Sequence, residues 1–197
     1  MPGRYLDRRF LFLGTWGSRR LSPRKIGAVT STFSIRPART GDVAAIKRLV
    51  APLAEQRILM AKETVAYYES LQEFRIAESS DGEVIGCGAL HVMWEDLAEV
   101  RTLAADDNWR GKGVGHVLVQ QLLEDARALG VARVFCLTFE VDFFKRHGFE
   151  VMADQTAVDP QVYSELLRSH DEGVAEFLDL ARVKPNTLGN TRMIKVL

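Results

Sequence analysis

The densest chemistry in the chain lies in one short stretch, Arg110-Gly111-Lys112-Gly113-Val114-Gly115, followed by His116. Closely spaced glycines let a backbone approach a ligand. At the start of a helix, the amides of Gly111 to His116 would aim unpaired N–H groups at an anion, with the helix dipole behind them. Phosphate is the anion that suits such a loop. A P-loop would need Gly-x4-Gly-Lys-Ser/Thr, whereas Lys112 is followed by Gly113 and Val114. A dinucleotide fingerprint would need Gly-x-Gly-x2-Gly opening a parallel βαβ unit near the first strand, and this loop lies mid-chain behind antiparallel strands. Both nucleotide readings are set aside. Just upstream, the alternation of Ala98 to Ala105 puts Glu99, Arg101 and Leu103 on one face. On the residues alone, Glu99 there reads as an exposed strand carboxylate paired with Arg101.

The elements around the loop follow from periodicity. Phe33 to Ala38 reads as a strand, and Thr40-Gly-Asp42 supplies N-cap chemistry for a helix with Val43, Ile46, Leu49, Val50 and Leu53 on its apolar face. A shorter helix is expected over 63–71. Strands are expected over 74–78 and 84–94, on either side of an Asp81-Gly82 turn, and a third over 98–105. Behind the loop, Val114, Leu118, Leu122, Ala126 and Leu129 form one stripe of a long amphipathic helix stopped by Gly130. A strand over 131–138, a short helix over 141–147, helical segments near 159–169 and 172–180, and a last strand over 191–197 complete the chain. The class is mixed α/β (α+β), an antiparallel front half followed by a strand–loop–helix–strand unit.

Composition fits one ordinary domain: 197 residues, 47% hydrophobic, with 26 Lys and Arg against 26 Asp and Glu. The balance hides an asymmetry. Residues 1–34 hold seven bases (Arg4, Arg8, Arg9, Arg19, Arg20, Arg24 and Lys25) against Asp7. They read as a basic N-terminal extension, expected to be poorly ordered, ahead of a domain over 35–197. That domain is left acidic, so nucleic acid is not an expected partner. No apolar run approaches the ~20 residues of a membrane span. Cys87 and Cys136 lie far apart in apolar segments, which points to small buried hydrophobes and a cytoplasmic setting. His91, His116, His147 and His170 have no ligand spacing, so no metal is expected. The ring of His116 is expected to face solvent.

In order and spacing, these features resemble the GCN5-related N-acetyltransferases (GNAT). Arg110, Gly113 and Gly115 match that family's Arg/Gln-x-x-Gly-x-Gly/Ala signature, and Phe144 to Phe149 matches its aromatic-x3-Gly-Phe turn. The resemblance implies a mostly antiparallel sheet flanked by helices, with acetyl-CoA as cosubstrate. It implies that Arg110, Gly111, Lys112, Gly113, Val114, Gly115 and His116 bind CoA phosphates, and that the backbone of Leu103, Ala104 and Ala105 pairs with pantetheine. Glu99 stands where many members carry a general base.

Within the family, several segments are similar to N-acetylglutamate synthases: Pro52 to Lys62, Cys87-Gly-Ala-Leu-His91, Leu137-Thr138 and Gly189 to Leu197. Val174 to Leu180 and Val183 to Asn190 resemble the short, stand-alone synthases of actinobacteria. The reaction so implied is acetyl transfer to L-glutamate, the entry to arginine biosynthesis. Other acceptors remain as the alternative: glutamine, another small amine or a protein N-terminus. By family position, Arg192, Lys62 and Lys184 are the cations for the two carboxylates of glutamate. Phe144 stands where many members carry an acidic tyrosine. Thr138 is the family's candidate acid in its place, and it reads equally as a turn cap. The chain is too short for the amino-acid-kinase domain of the larger synthases, so feedback control through that route is not expected. The Phe and Leu residues of 174–180 read as core or as the surface of a homodimer.

Overall fold

A computed structural model of the chain describes residues 32–60, 62–152, 159–178 and 189–197. Apart from Thr32 to Ser34, the extension expected over 1–34 lies outside the described residues, as does Lys184. In chain order the elements are β1 (Phe33–Pro37), α1 (Val43–Glu55), α2 (Thr64–Glu69), β2 (Phe74–Ser79), β3 (Val84–Trp94), β4 (Leu97–Ala105) and α3 (Val114–Ala128). Then follow β5 (Arg133–Thr138), α4 (Val141–Lys145), β6 (Glu150–Val151), α5 (Pro160–Leu166), α6 (Glu172–Phe177) and β7 (Thr191–Val196). The strands form one sheet in the order β1-β2-β3-β4-β5-β7-β6, antiparallel throughout except for the parallel β4–β5 pair. No described helix is long and apolar enough to cross a membrane.

Helices cover both faces. The α3 stripe of Val114, Leu118, Val119, Leu122, Leu123 and Ala126 is buried on one face. It lies so close to β3 that a Cβ at Gly86 would come within 2.7 Å of Val114 Cγ1. Leu129, expected in that stripe, is 64% exposed because the helix ends at Ala128 and the chain turns outward at Gly130 (φ +83°). On the other face, α1 packs Val43, Ile46, Leu49 and Val50 against Ile76, Cys87 and Ala89, while α5 and α6 pack Leu166, Val174 and Phe177 against Leu97 and Phe135. Both cysteines are buried. Asp42 does more than the cap chemistry expected of it: its carboxylate accepts the Arg39 N–H at 2.7 Å and pairs with Arg36 at 2.7 Å, tying α1 to β1.

Two irregularities of β4 shape its surroundings. The β4–β5 ladder runs only from Leu97↔Arg133 to Glu99↔Phe135, so the two strands part directly beyond Glu99. On the other edge, the partners of β3 step from Ala89↔Arg101 to Cys87↔Ala104, which places an extra residue on β4. Thr102 takes it up with φ +55°. Such a bulge exchanges the faces of all residues beyond it. Glu99 and Arg101 share a face, as expected. Leu103, expected with them, is turned to the opposite face, where it packs beside Leu122 and Val100 in the core under α3.

Candidate active site

The glycine loop is built as its sequence suggests. Asp106 accepts the Asn108 N–H at 2.9 Å and starts a single 3-10 turn over Asp107–Trp109. Gly111 and Gly113 then take φ +75° and +84°, the left-handed region that glycine enters without a Cβ penalty. The first intrahelical bond of α3 runs from Val117 N–H to the Gly113 carbonyl. The amides of Val114, Gly115 and His116 precede it and point out of the helix start. Arg110 and Lys112 are exposed beside them, with the Lys112 ammonium 4.7 Å above the Trp109 ring. The His116 ring does not simply face solvent. Its Nδ1 lies 2.8 Å from His147 Nε2, and both rings stack on Phe143. Burial, with His116 next, lowers the affinity of His147 for a proton.

Where β4 and β5 part, Glu99 is buried at 6% exposure. Its Oε2 has no hydrogen-bond partner among the described residues and lies 3.8 Å from an Arg101 guanidinium nitrogen. Burial pushes its carboxyl up to about 7; Asp171 adds to the rise, against Arg101, His91 and Lys62. A carboxylate poised near neutrality can take a proton from an amine and release it again. The exposed alternative is thereby excluded.

A charged group lies beside it, built on Arg101 with Glu73, His91 and Asp171, none of which the sequence gave a site role. Arg101 donates to Asp171 and to Glu73, each at 2.9 Å. His91 lies 2.8 Å from Glu73 and 3.4 Å from Asp171. Burial works against the charge of Glu73 and of Asp171, but His91 and Arg101 for the first, and Arg101 for the second, hold both carboxyls below the usual range. Lys62 joins this group: burial and Arg101 lower its ammonium, while Glu99, Asp171 and Glu73 oppose them.

The remaining expected residues divide. Arg192 pairs with Leu137 on β5, two residues along from Ile194↔Phe135, and so shares the sheet face of Phe135 and Glu99. Thr138 is buried at the end of β5, where its Oγ1 accepts the Glu140 N–H at 2.8 Å, the cap role anticipated for it. Ala104 is buried against the α1 side while Ala105 is exposed at the edge of the parting strands.

Comparison with known proteins places these features in a family. The acetyltransferase (GNAT) family profile matches residues 44–149. An amino-acid acetyltransferase of Mycobacterium tuberculosis is 54% identical over 165 residues, which is 83% of this chain and 94% of that protein. A crystal structure of a Mycobacterium tuberculosis protein in complex with CoA superposes with a TM-score of 0.78 at 54% identity, covering 83% of this chain and 99% of that one. The N-acetylglutamate synthase of Neisseria gonorrhoeae, complexed with coenzyme A and N-acetyl-glutamate, gives a TM-score of 0.67 at 25% identity, over 84% of this chain and 35% of the synthase.

Proposed function

The chain belongs to the acetyltransferase (GNAT) family, and on that premise we propose that it is an amino-acid N-acetyltransferase, transferring acetyl from acetyl-CoA to the α-amino group of L-glutamate. The observation that carries this reading is Glu99, a buried carboxylate with a proton affinity near neutrality, at the point where β4 and β5 separate. The glycine loop lies at the far end of β4, and Lys62 and Arg192 lie on the Glu99 side of the sheet.

The chemistry follows from that placement. The amides of Gly113 to His116, with Arg110 and Lys112, hold the CoA phosphates, and the unpaired edge of β4 beyond Glu99 lies along the pantetheine arm. Glu99 takes a proton from the glutamate ammonium, since only the free amine has a lone pair for attack. The nitrogen bonds to the thioester carbonyl carbon; the oxyanion then re-forms the carbonyl as the carbon–sulfur bond breaks, CoA leaves as thiolate, and the second proton that the nitrogen must lose to become a neutral amide passes to solvent or to the thiolate. Because thiols have pKa values of ~8.5, this departure needs little acid assistance. The Thr138 oxygen accepts from Glu140, which leaves its own hydrogen for the sulfur. Arg192 and Lys62 pair with the substrate carboxylates, and Lys184 is proposed as a third cation. We place the reaction in the cytoplasm.

Thiol release from acetyl-CoA with a panel of amino acids tests the reading. L-glutamate is expected to be the best acceptor. Arg192→Met is expected to raise its KM about 10- to 100-fold, the loss of one charge-assisted contact, with kcat little changed. Faster turnover with glutamine would overturn the choice of acceptor, and no thiol release with any amine would overturn the enzyme. For the loop, Gly113→Val forces a β-branched residue into φ +84°. CoA affinity by calorimetric titration is expected to fall about tenfold, the equivalent of the ~1–2 kcal/mol such a backbone costs.

A further inference from the structure

The segment that leads into α6 forms a roof over Glu99. Asp171 anchors it: one carboxylate oxygen accepts the Gly173 and Val174 N–H groups at 2.8 and 3.3 Å, and the other pairs with Arg101 at 2.9 Å and faces His91 at 3.4 Å. Gly173 is thereby pressed onto the carboxylate, so closely that a Cβ on it would collide with Glu99 Oε2. The Gly173 amide is already bonded to Asp171, and Glu99 Oε2 receives no hydrogen bond from it. Behind the roof, α6 is fixed by Phe177, whose ring meets Phe135 edge to face at 5.5 Å, and Phe135 is the ladder partner of Glu99.

From this geometry we propose that Asp171 and Gly173 are positioning residues that set when Glu99 holds its proton: Gly173 excludes water from the carboxylate, and Asp171 keeps the roof closed and Arg101 turned away. The inference rests on Glu99 being the base, and deepens that reading. Every group that faces Glu99 bears on its sign. Arg101 on β4, His91 on β3 and Lys62 ahead of α2 favour its charge, whereas Asp171 and burial oppose it. Cys136 of β5 is a buried thiol beside it, and Arg192 of β7 shares its face of the sheet. Removing the Asp171 charge takes away a repulsion and frees a guanidinium nitrogen that is already 3.8 Å from Glu99. Opening the roof admits water. All three changes lower the proton affinity of Glu99.

The test follows the Glu99 carboxyl directly, by carbon NMR titration of protein labelled at the glutamate side-chain carboxyl and assigned with Glu99→Gln, alongside the pH dependence of kcat/KM. Asp171→Asn keeps the capping oxygen, loses the charge and puts an amide donor where the oxygen holding Arg101 stood. Gly173 has no left-handed φ, so the Cβ of Gly173→Ala acts through space, chiefly against Glu99 and, at 3.1 Å, against the capping oxygen of Asp171. Gly41→Ala, where a Cβ meets nothing within 4 Å, is the control. In both roof variants the Glu99 titration is expected about one pH unit lower than in wild type, with the acidic limb of kcat/KM moving with it. Activity at pH 6 would then rise from about a tenth to about half of its plateau. A Glu99 titration unmoved in both variants overturns the proposal. A titration that moves while the rate limb stays supports the roof's hold on the carboxylate and overturns Glu99 as the base, so the two failures are distinct.

Discussion

Glu99→Gln is expected to lower kcat/KM by about 10²- to 10⁴-fold, the usual contribution of a positioned base, and at the same time to make the protein more stable at pH 8. The two effects have one cause. Burial holds the carboxyl at about 7, far above the ordinary carboxylate value of 4.5, so the folded protein favours the protonated form. A group raised in this way stabilises the fold fully below 4.5, and its contribution is lost as the pH rises through 7. At pH 8 the wild type keeps a buried, poorly partnered charge that glutamine lacks. Each pH unit by which burial raises the carboxyl is worth ~1.4 kcal/mol, which gives the variant an advantage of about 1–3 kcal/mol, part of it taken back by the unpartnered position the amide inherits. For a domain of this size that amounts to an increase in Tm of several degrees. Calorimetry at pH 8 and pH 4.5 checks the sign: the gap in Tm should close at the lower pH. An inactive variant that is also less stable at pH 8 would mean that Glu99 is held by its partners rather than strained against burial.

Much of this site was legible in the residues, and the parts that were not share a physical reason. The glycine loop and the stripe of α3 are local patterns, fixed by φ and by a 3.6-residue period, and both stand as expected up to Ala128. Glu99 and Arg101 share a face because period two holds between them. It fails at Thr102, whose bulge turns Leu103 under α3, and nothing in Arg-Thr-Leu-Ala announces an extra residue on one strand of a pair. Glu73, His91 and Asp171 were given no site role for a different reason: their meaning lies in contacts with Arg101 or one another at separations of 18 to 80 residues, formed only once β2, β3, β4 and the α6 segment are assembled. The Asp171-Glu-Gly-Val run did carry a usable signal, since an aspartate ahead of a helix is a standard cap. That cap is what holds Gly173 on Glu99.

Arg101→Met is expected to be the most damaging single change in the site, and its effects on the pH profile and on stability both depend on the three acids around the guanidinium. Arg101 lies 14% exposed among Glu73, Glu99 and Asp171. Methionine keeps much of the stem and removes the guanidinium that all three face. The carboxylates are part-buried, Glu73 at 23% and Asp171 at 26% exposure, so losing their charge-assisted bonds to the guanidinium is expected to cost about 2–3 kcal/mol. Here Glu73 and Asp171 are left with His91 between them. Both are held below the ordinary carboxylate range in the wild type, Asp171 chiefly by Arg101 and Glu73 by His91 and then Arg101, so the stability they lend is present above that range and is lost as the pH falls through their folded values. The gap between variant and wild type should therefore be fully present at pH 7–8 and narrow only below about pH 4. Arg101 also favours the charged form of Glu99, so its loss should move the acidic limb of kcat/KM upward, opposite to the shift expected for Asp171→Asn. Thermal unfolding from pH 8 down to about pH 3 and the rate profile read these two consequences separately. A variant as stable as wild type at pH 8 would show that the carboxylates do not depend on the guanidinium, and a limb that moves downward would reverse the electrostatic ordering of the site.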